Sequence, residues 1–364
     1  MTFIRLWGLV WTAAWCWAQA FEISSASTGQ VARDHGHSHD HSHVAEVSAT
    51  GSLVQRSYMR HDNDYDFNTG SEADMYQLTL LEGAQRDQTT QAIVTHVCSK
   101  DWAPGALALA ASLRAAGTSR NLVLMVTDTV GRRYQKLFAS VFDKVYIEEP
   151  VKPHNGITRD GADCVTLQLR AWQLPYTKIL YMDADIIALK THDPVLDTFG
   201  ELSARQDSGL LAQFNGGMFV LEPSADKFKK LRGLLKSQDA TSTAVGSNGG
   251  IQQFLNYAFP PCAHGSQVGC WQGVLEDTYN KFTRDISETD LDADKFASLH
   301  FSGDWGGARK PWMSGCLHTS DSMTHQTGSL QGRMLQIWMN AFHQVQAPDG
   351  LEDLLHTDCP GEDG

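Results

Sequence analysis

The sequence predicts an α/β protein with a mostly parallel central sheet flanked by helices, in a single domain over residues 89–346. Two observations predict it. From Gln91 the chain reads strand, helix, strand, helix, strand, an order that means parallel strands joined by crossovers. A further helix, near Val165 to Leu174, then leads into KILYMDAD, an apolar strand whose carboxyl end carries aspartates, where open α/β sheets gather their ligands. With 364 residues, 42% hydrophobic and 20% charged, the chain can bury one large core or two smaller ones without disulfide staples.

Taken in order, residues 1–20 have the anatomy of a secretory signal: a lone Arg5, an apolar stretch from Leu6 to Ala18, and the small-x-small ending Ala18-Gln19-Ala20. Glu22 ends the apolar run short of the about 20 residues a membrane span needs, so an uncleaved anchor is second choice. No stable span is expected once the signal is cleaved, and the secretory pathway, either the Golgi lumen or the cell exterior, is the expected location. Residues 21–88 are polar and irregular, with DHGHSHDHSH at 34–43, and read as a disordered, histidine-rich stem. Its histidines could hold a divalent metal loosely, but low-complexity drift is the simpler account.

QAIVTHVC is the first strand of the domain, and Pro104 opens the helix ALALAASLRAA, which stops at Gly117. NLVLMVTD, GRRYQKLFASV and KVYIEE follow as strand, helix and strand. Beyond the sheet, TGSLQGRMLQIWMNAFHQVQ at 327–346 sets Leu330, Met334, Ile337, Trp338, Ala341, Phe342 and Val345 at helical spacing, a face that packs on the domain or, alternatively, binds a partner. Residues 347–364 read as a frayed tail without a Lys-Asp-Glu-Leu signal.

Removal of the leader takes Cys16 and leaves Cys98, Cys164, Cys262, Cys270, Cys316 and Cys359, an even number that permits disulfides. Cys262 and Cys270, in the short loop PPCAHGSQVGC, are the preferred pair. No Asn-x-Ser/Thr acceptor occurs, so N-glycosylation is not expected. The net charge of −13, with no Lys/Arg run longer than two, argues against nucleic acid as a partner.

Asp183 and Asp185 are the first candidates for chemistry, because a carboxylate in a buried strand must be neutralised by a partner. Three readings compete. The acid and base of a glycosidase sit about 5–9.5 Å apart on separate elements, which two residues of one strand do not satisfy. A chain that turns just after Asp183 could bring both onto a hard divalent cation that also grips phosphate oxygens. The third reading has them merely cap the next turn.

The pair does not stand alone. AIVTHVCSKDWAPGALALAASLR, VFDKVYIEE, YMDAD, FNGGMFVLEPS, GGIQQFLN, and HFSG followed by KPW occur in an order and at separations that resemble the glycogenin-like retaining glycosyltransferases of family 8, across roughly Ala92 to Trp312. The resemblance implies a GT-A nucleotide-binding fold and transfer of a hexose from a UDP-sugar donor, with retention of configuration, to a glycan or glycoprotein acceptor. It implies a metal, usually Mn²⁺ with Mg²⁺ as a substitute, held at positions matching Asp183, Asp185 and His300. Around it, Ala184 lies between the two carboxylates, Trp102 matches an aromatic ring near uracil, Arg159 a donor-facing basic residue, and Gly303 and Lys310 the diphosphate contacts. Asn215, Gly216 and Gly217 match the sugar-side loop.

Two departures accompany these matches. Gly249-Gly250-Ile251-Gln252 stands where the family has Gly-Gly-Asp-Gln, so an apolar side chain replaces a carboxylate, and Asn248 or Gln252 is left to carry the hydrogen bonding there. Leu167-Gln168-Leu169 stands where the family has Lys. Both changes lie at the sugar end, which feeds an alternative expectation: a weakened or silent relative that binds nucleotide sugar or glycan without turnover. No tyrosine follows Tyr279 in DTYNKFTRDISETD, so self-glucosylation of the glycogenin kind is not expected there.

Overall fold

The segment Asn121–Val126, NLVLMV, is buried along its whole length, as an apolar strand covered on both faces must be. It lies inside the main sheet of a computed structural model that describes residues 45–47, 53–55, 76–78, 90–152, 162–198, 200–207, 212–237, 250–263, 266–289, 293–303, 310–313 and 329–355. The expected leader, the histidine-rich run, Arg159 and Asn248 lie outside the described residues. Along the chain the strands are β1 (Ala45–Val47), β2 (Leu53–Gln55), β3 (Tyr76–Leu78), β4 (Gln91–Val97), β5 (Asn121–Val126), β6 (Lys144–Ile147), β7 (Lys178–Met182), β8 (Ile186–Ala188), β9 (Leu202–Gln206), β10 (Phe214–Leu221), β11 (Lys281–Phe282) and β12 (Ser298–His300). The helices are α1 (Ala103–Ala115), α2 (Arg132–Val141), α3 (Ala162–Val165), α4 (Ala225–Leu235), α5 (Ile251–Ala258) and α6 (Leu330–Phe342).

The main sheet has the order β3-β6-β5-β4-β7-β10-β9. β4, β5, β6 and β7 are parallel, and β10 and β3 run against them. The chain builds outward from β4 through β5 to β6, then returns to the other side of β4 as β7. The strand order therefore reverses between β4 and β7, and a ligand crevice opens at such a point outside the carboxyl ends. A small second sheet, β11-β12-β8, caps that end.

Side chains alternate across the main sheet with a period of two. Leu122, Leu124, Val126, Leu180 and Met182 enter one core with α1, α2 and α6; Val123, Met125, Ile179 and Tyr181 enter another with Trp172, Phe219 and Phe254. Helix α1 is buried nearly all round because it lies between the sheet and α6, and its many alanines permit that approach. The face expected of the C-terminal helix is the one used: Met334, Trp338, Ala341 and Phe342 are buried, with Ser329 as N-cap to the Gly332 amide at 3.1 Å.

Three expectations need correction, and one disulfide is additional to the expected pair. The helix expected near Val165 to Leu174 is a four-residue α-turn, α3, followed by a 3₁₀-helix over Thr166–Gln173. One end is tied by a Cys98–Cys164 disulfide, and at the other Leu174, before Pro175, is extended; the greater rise of a 3₁₀-helix spans these fixed points. The segment read as an irregular stem contains β1, β2 and β3, the last pairing with β6 as an edge strand. The tail read as frayed continues as a 3₁₀-turn over Glu352–Leu355, where Arg133 Nη2 meets Asp353 Oδ1 at 2.7 Å and Leu351, Leu354 and Leu355 rest on the core. Cys262 and Cys270 pair as expected, but the Cys98–Cys164 bridge was not anticipated.

Candidate metal and donor site

β7 ends at Met182 and the chain turns at once. The Asp183 amide donates to the Gly217 carbonyl at 2.7 Å, and the Ile186 amide to the Asp183 carbonyl at 3.2 Å. The turn feeds β8, whose antiparallel partner β12 sets His300 opposite Ile186, while Phe301 donates its amide to the Asp185 carbonyl at 2.9 Å. Two carboxylates from the turn and one imidazole from the small sheet thus converge, with ligand atoms of Asp183, Asp185 and His300 all within 4.8 Å of one another. Gly217 makes the room: a Cβ there would stand 2.5 Å from His300 Cε1 and 2.8 Å from Asp183 Oδ2.

The charges are arranged unequally. Burial, and then the neighbouring Asp185, push the Asp183 carboxyl up to about 6. Burial would raise Asp185 as well, but His300 and Lys310 outweigh it and hold that carboxyl below the usual range. Lys310 Nζ donates to Asp185 Oδ2 at 2.5 Å and to the Phe301 carbonyl at 2.9 Å. The other oxygen, Asp185 Oδ1, is buried, has no neighbouring donor but the His300 ring, and lies 3.2 Å from His300 Nε2. A buried acceptor left so is costly, and an oxygen and an aromatic nitrogen facing one gap are what a divalent cation resolves. Two carboxylates and an imidazole fit such an ion.

A buried polar network surrounds the three ligands. Tyr181 donates its hydroxyl to Asp183 Oδ1 at 2.9 Å, and His96 Nδ1 lies 2.6 Å from the Tyr181 oxygen. Burial lowers His96 to about 4 and raises the Tyr181 phenol well above its ordinary value, so both are neutral near pH 7. On the opposite side, Gln252 Oε1 accepts from the Gly216 amide and from Asn215 Nδ2, each at 3.0 Å, while Gln252 Nε2 donates to Asp207 Oδ2 at 3.0 Å. Asn215 Oδ1 accepts from the Gly217 amide at 3.0 Å and from Asn280 Nδ2 at 2.9 Å; Asn280 Oδ1 stands 2.7 Å from His300 Nδ1.

Among the other expected residues, Ala184 is buried in the turn, its carbonyl facing Gly105 so closely that a Cβ on that glycine would stand 2.6 Å away. Trp102 is partly buried, with Lys310 Nζ 5.5 Å from its ring centroid and Trp312 edge-on to it at 5.6 Å. Gly303 takes φ of 75° just after β12, a conformation that favours glycine. The side chains expected at the sugar end are engaged within the protein. Ile251, the first residue of α5, packs on the apolar cluster of Trp172 and Phe254, so its side chain has a core partner. Gln252 engages both ends of its amide within the protein and braces the glycine strand. Gln168 is buried and donates to the Gly216 carbonyl at 2.7 Å, standing as a neutral brace where the resemblance expects a cation.

Sequence reasoning missed His96, Tyr181, Asp207 and Asn280. Tyr181 sits two residues before Asp183, and the period of a strand puts both on one face, so it was findable. The others reach the site from β4, from the end of β9 and from the turn before β11, and nothing local marks them.

No protein-family profile matches the chain. Human glycogenin-1 is 34% identical over 177 residues, covering 47% of this chain and 49% of that protein. Human glycogenin-2 is 29% identical over 242 residues, covering 63% of this chain and 42% of that protein. The chain thus spans about half the length of the curated relatives it matches. Among solved structures, the galactosyltransferase LgtC in complex with donor and acceptor sugar analogues aligns with a TM-score of 0.48 and 16% identity, covering 72% of this chain and 99% of that one. Over the matched stretches this chain is similar to the glycogenins.

Proposed function

We propose that this chain is a metal-dependent glycosyltransferase that moves a hexose or related sugar from a UDP-sugar donor to a glycan or protein acceptor with retention of configuration. The observation that carries this is the convergence of Asp183, Asp185 and His300 within 4.8 Å, with Lys310 beside them at the crevice between β4 and β7. Asp183, Asp185 and His300 would hold Mn²⁺, which when bound acts as a Lewis acid toward the diphosphate. The chain's own residues do the rest. Lys310 is a buried cation whose bond to Asp185 can be exchanged for one to the departing diphosphate, the charge that leaving-group stabilisation requires. Trp102, beside Lys310, offers a ring to the flat base. Gly216 and Gly217 bring backbone close to the sugar, and Asp207, held against Gln252, supplies a carboxylate at the end where Ile251 supplies none.

Two disulfides suit the oxidising compartment that the leader implies, and among the described residues no helix is long and apolar enough to cross a membrane. A second reading, nucleotide-sugar binding without turnover, draws on Gln168 and Ile251, neither of which presents charge to the sugar. One experiment separates the readings: donor binding and release of free UDP, measured with and without Mn²⁺ for wild type and D185N. Loss of the Mn²⁺-dependent part of donor binding in D185N is expected, because the site loses charge where a 2+ ion and a diphosphate must coexist. Equal affinity with and without metal in both proteins would refute the metal reading. Metal-dependent binding without any release or transfer across several donors would establish the silent relative.

A further inference from the structure

We propose that Asn280 is a positioning residue that dictates which nitrogen of His300 carries the proton, and so which nitrogen is offered to a cation. The inference rests on the metal reading above, and it adds the device that orients one ligand. An asparagine's two amide ends cannot be told apart by shape, but a backbone N–H can only donate. The Gly217 N–H therefore fixes the atom of Asn215 that faces it as oxygen. The Gly216 N–H fixes Gln252 Oε1 in the same way, and Asn215 Nδ2 donates to that oxygen, so the assignment of Asn215 is reached twice. Asn280 turns one amide end to Asn215 Oδ1, an acceptor, and that end must be its NH₂. Its other end, the carbonyl oxygen, then faces His300 Nδ1 at 2.7 Å. Only an N–H satisfies it, so the neutral ring keeps its proton on Nδ1 and turns the Nε2 lone pair toward the gap it shares with Asp185 Oδ1.

The chain of amides can transmit this choice because its end cannot swing. Asn280 is fully buried, with φ of 63°, a left-handed conformation that asparagine adopts more readily than most residues. Its own N–H donates to Ser298 Oγ at 2.9 Å and its carbonyl accepts from Arg205 Nη1 at 3.0 Å; Arg205 is in turn paired with Asp277. Phe282 lies edge-on to the His300 ring at 5.3 Å and closes the remaining side. Without Asn280, the imidazole could carry its proton on either nitrogen, and the Nε2–H form would present an N–H to the cation.

Two substitutions at this position test the proposal. N280G suits the left-handed backbone and removes the acceptor; N280D gives up the bond to Asn215 and keeps an acceptor at Nδ1. Long-range ¹H–¹⁵N spectra of metal-free protein, at a pH where the ring is neutral, should place the His300 proton on Nδ1 in wild type and in N280D, and should show loss of that preference in N280G. Mn²⁺ affinity, read from the free-ion EPR signal, should fall about 10–100-fold in N280G. Retention of both the Nδ1 proton and wild-type Mn²⁺ affinity in N280G would overturn the proposal. If N280G does not fold, N280D decides, since a proton on Nε2 in that variant overturns it equally. Wild-type protein with its proton on Nδ1 that takes up no Mn²⁺ would support the role of Asn280 in setting the ring and overturn the metal reading instead.

Discussion

A single methyl group at Gly217 should damage the candidate metal site and the fold together. The added Cβ would lie 2.5 Å from His300 Cε1, 2.8 Å from Asp183 Oδ2 and 3.0 Å from Asn215 Oδ1. Carbon contacts are optimal at about 3.5–4.0 Å, so the ring must retreat by about 1 Å in a packed interior. Overpacking of this kind costs about 1–3 kcal/mol, which for a domain of this size lowers the melting temperature by about 2–12 °C. The two atoms that must move belong to two of the three expected ligands, so Mn²⁺ affinity should fall more steeply than stability. Calorimetric titration with Mn²⁺ beside thermal unfolding reads both. Gly233, within α4, is the internal control: nothing lies within 4 Å of its hypothetical Cβ. G233A should be neutral to metal and raise stability by about 0.5–1 kcal/mol, the ordinary gain for a helix interior. A G217A protein with wild-type melting and wild-type Mn²⁺ affinity would refute the close approach of β10 to the ligands.

Four further expectations follow from the same geometry. With Asp183 raised to about 6, metal must displace its proton, so Mn²⁺ affinity should decline about tenfold per pH unit below that value, as a calorimetric pH series would show. In metal-free protein the sign for stability is opposite: between the unfolded and folded pKa values the folded state holds the extra proton, so this group favours folding less as pH rises through the window from about 4 to about 6. W102A should weaken UDP by about 1–3 kcal/mol in a titration, through lost stacking and a loosened Lys310; unchanged affinity with lowered stability would return Trp102 to the core. Breaking Cys98–Cys164, which spans 66 residues, should destabilise by about 4 kcal/mol, against about 2.5 kcal/mol for Cys262–Cys270 with its separation of 8; equal losses on denaturant unfolding would contradict the loop-entropy account.

What the sequence made legible was local. Asp183 and Asp185 stand out because charge interrupts an apolar run, and His300 because it precedes a glycine and a Lys-Pro-Trp tail; in the structure a single turn and one antiparallel register bring the three together. Ile251 was legible as a missing carboxylate but not as a core residue, since its apolar partners come from distant elements. Asn280 carried no signal at all. Its importance arises from a left-handed turn and from backbone amides 63 and 64 positions earlier, and only the assembled sheets define them. The 3₁₀ run was misread for a related reason: its ends are set by a disulfide and by the start of β7, neither of which is written in its own periodicity.

Trp312 touches Trp102 on one side and Trp338 of α6 on the other, each with centroids 5.6 Å apart. Indoles so close can pass excitation between them, and the three form a chain running from the candidate crevice to the C-terminal helix. Quenching at Trp102 would drain emission from all three, and undocking of α6 would free the far member. The molecule thereby carries its own optical reporter, sensitive at one end to what enters the crevice and at the other to the seating of a helix that lies beyond the stretch resembling the family.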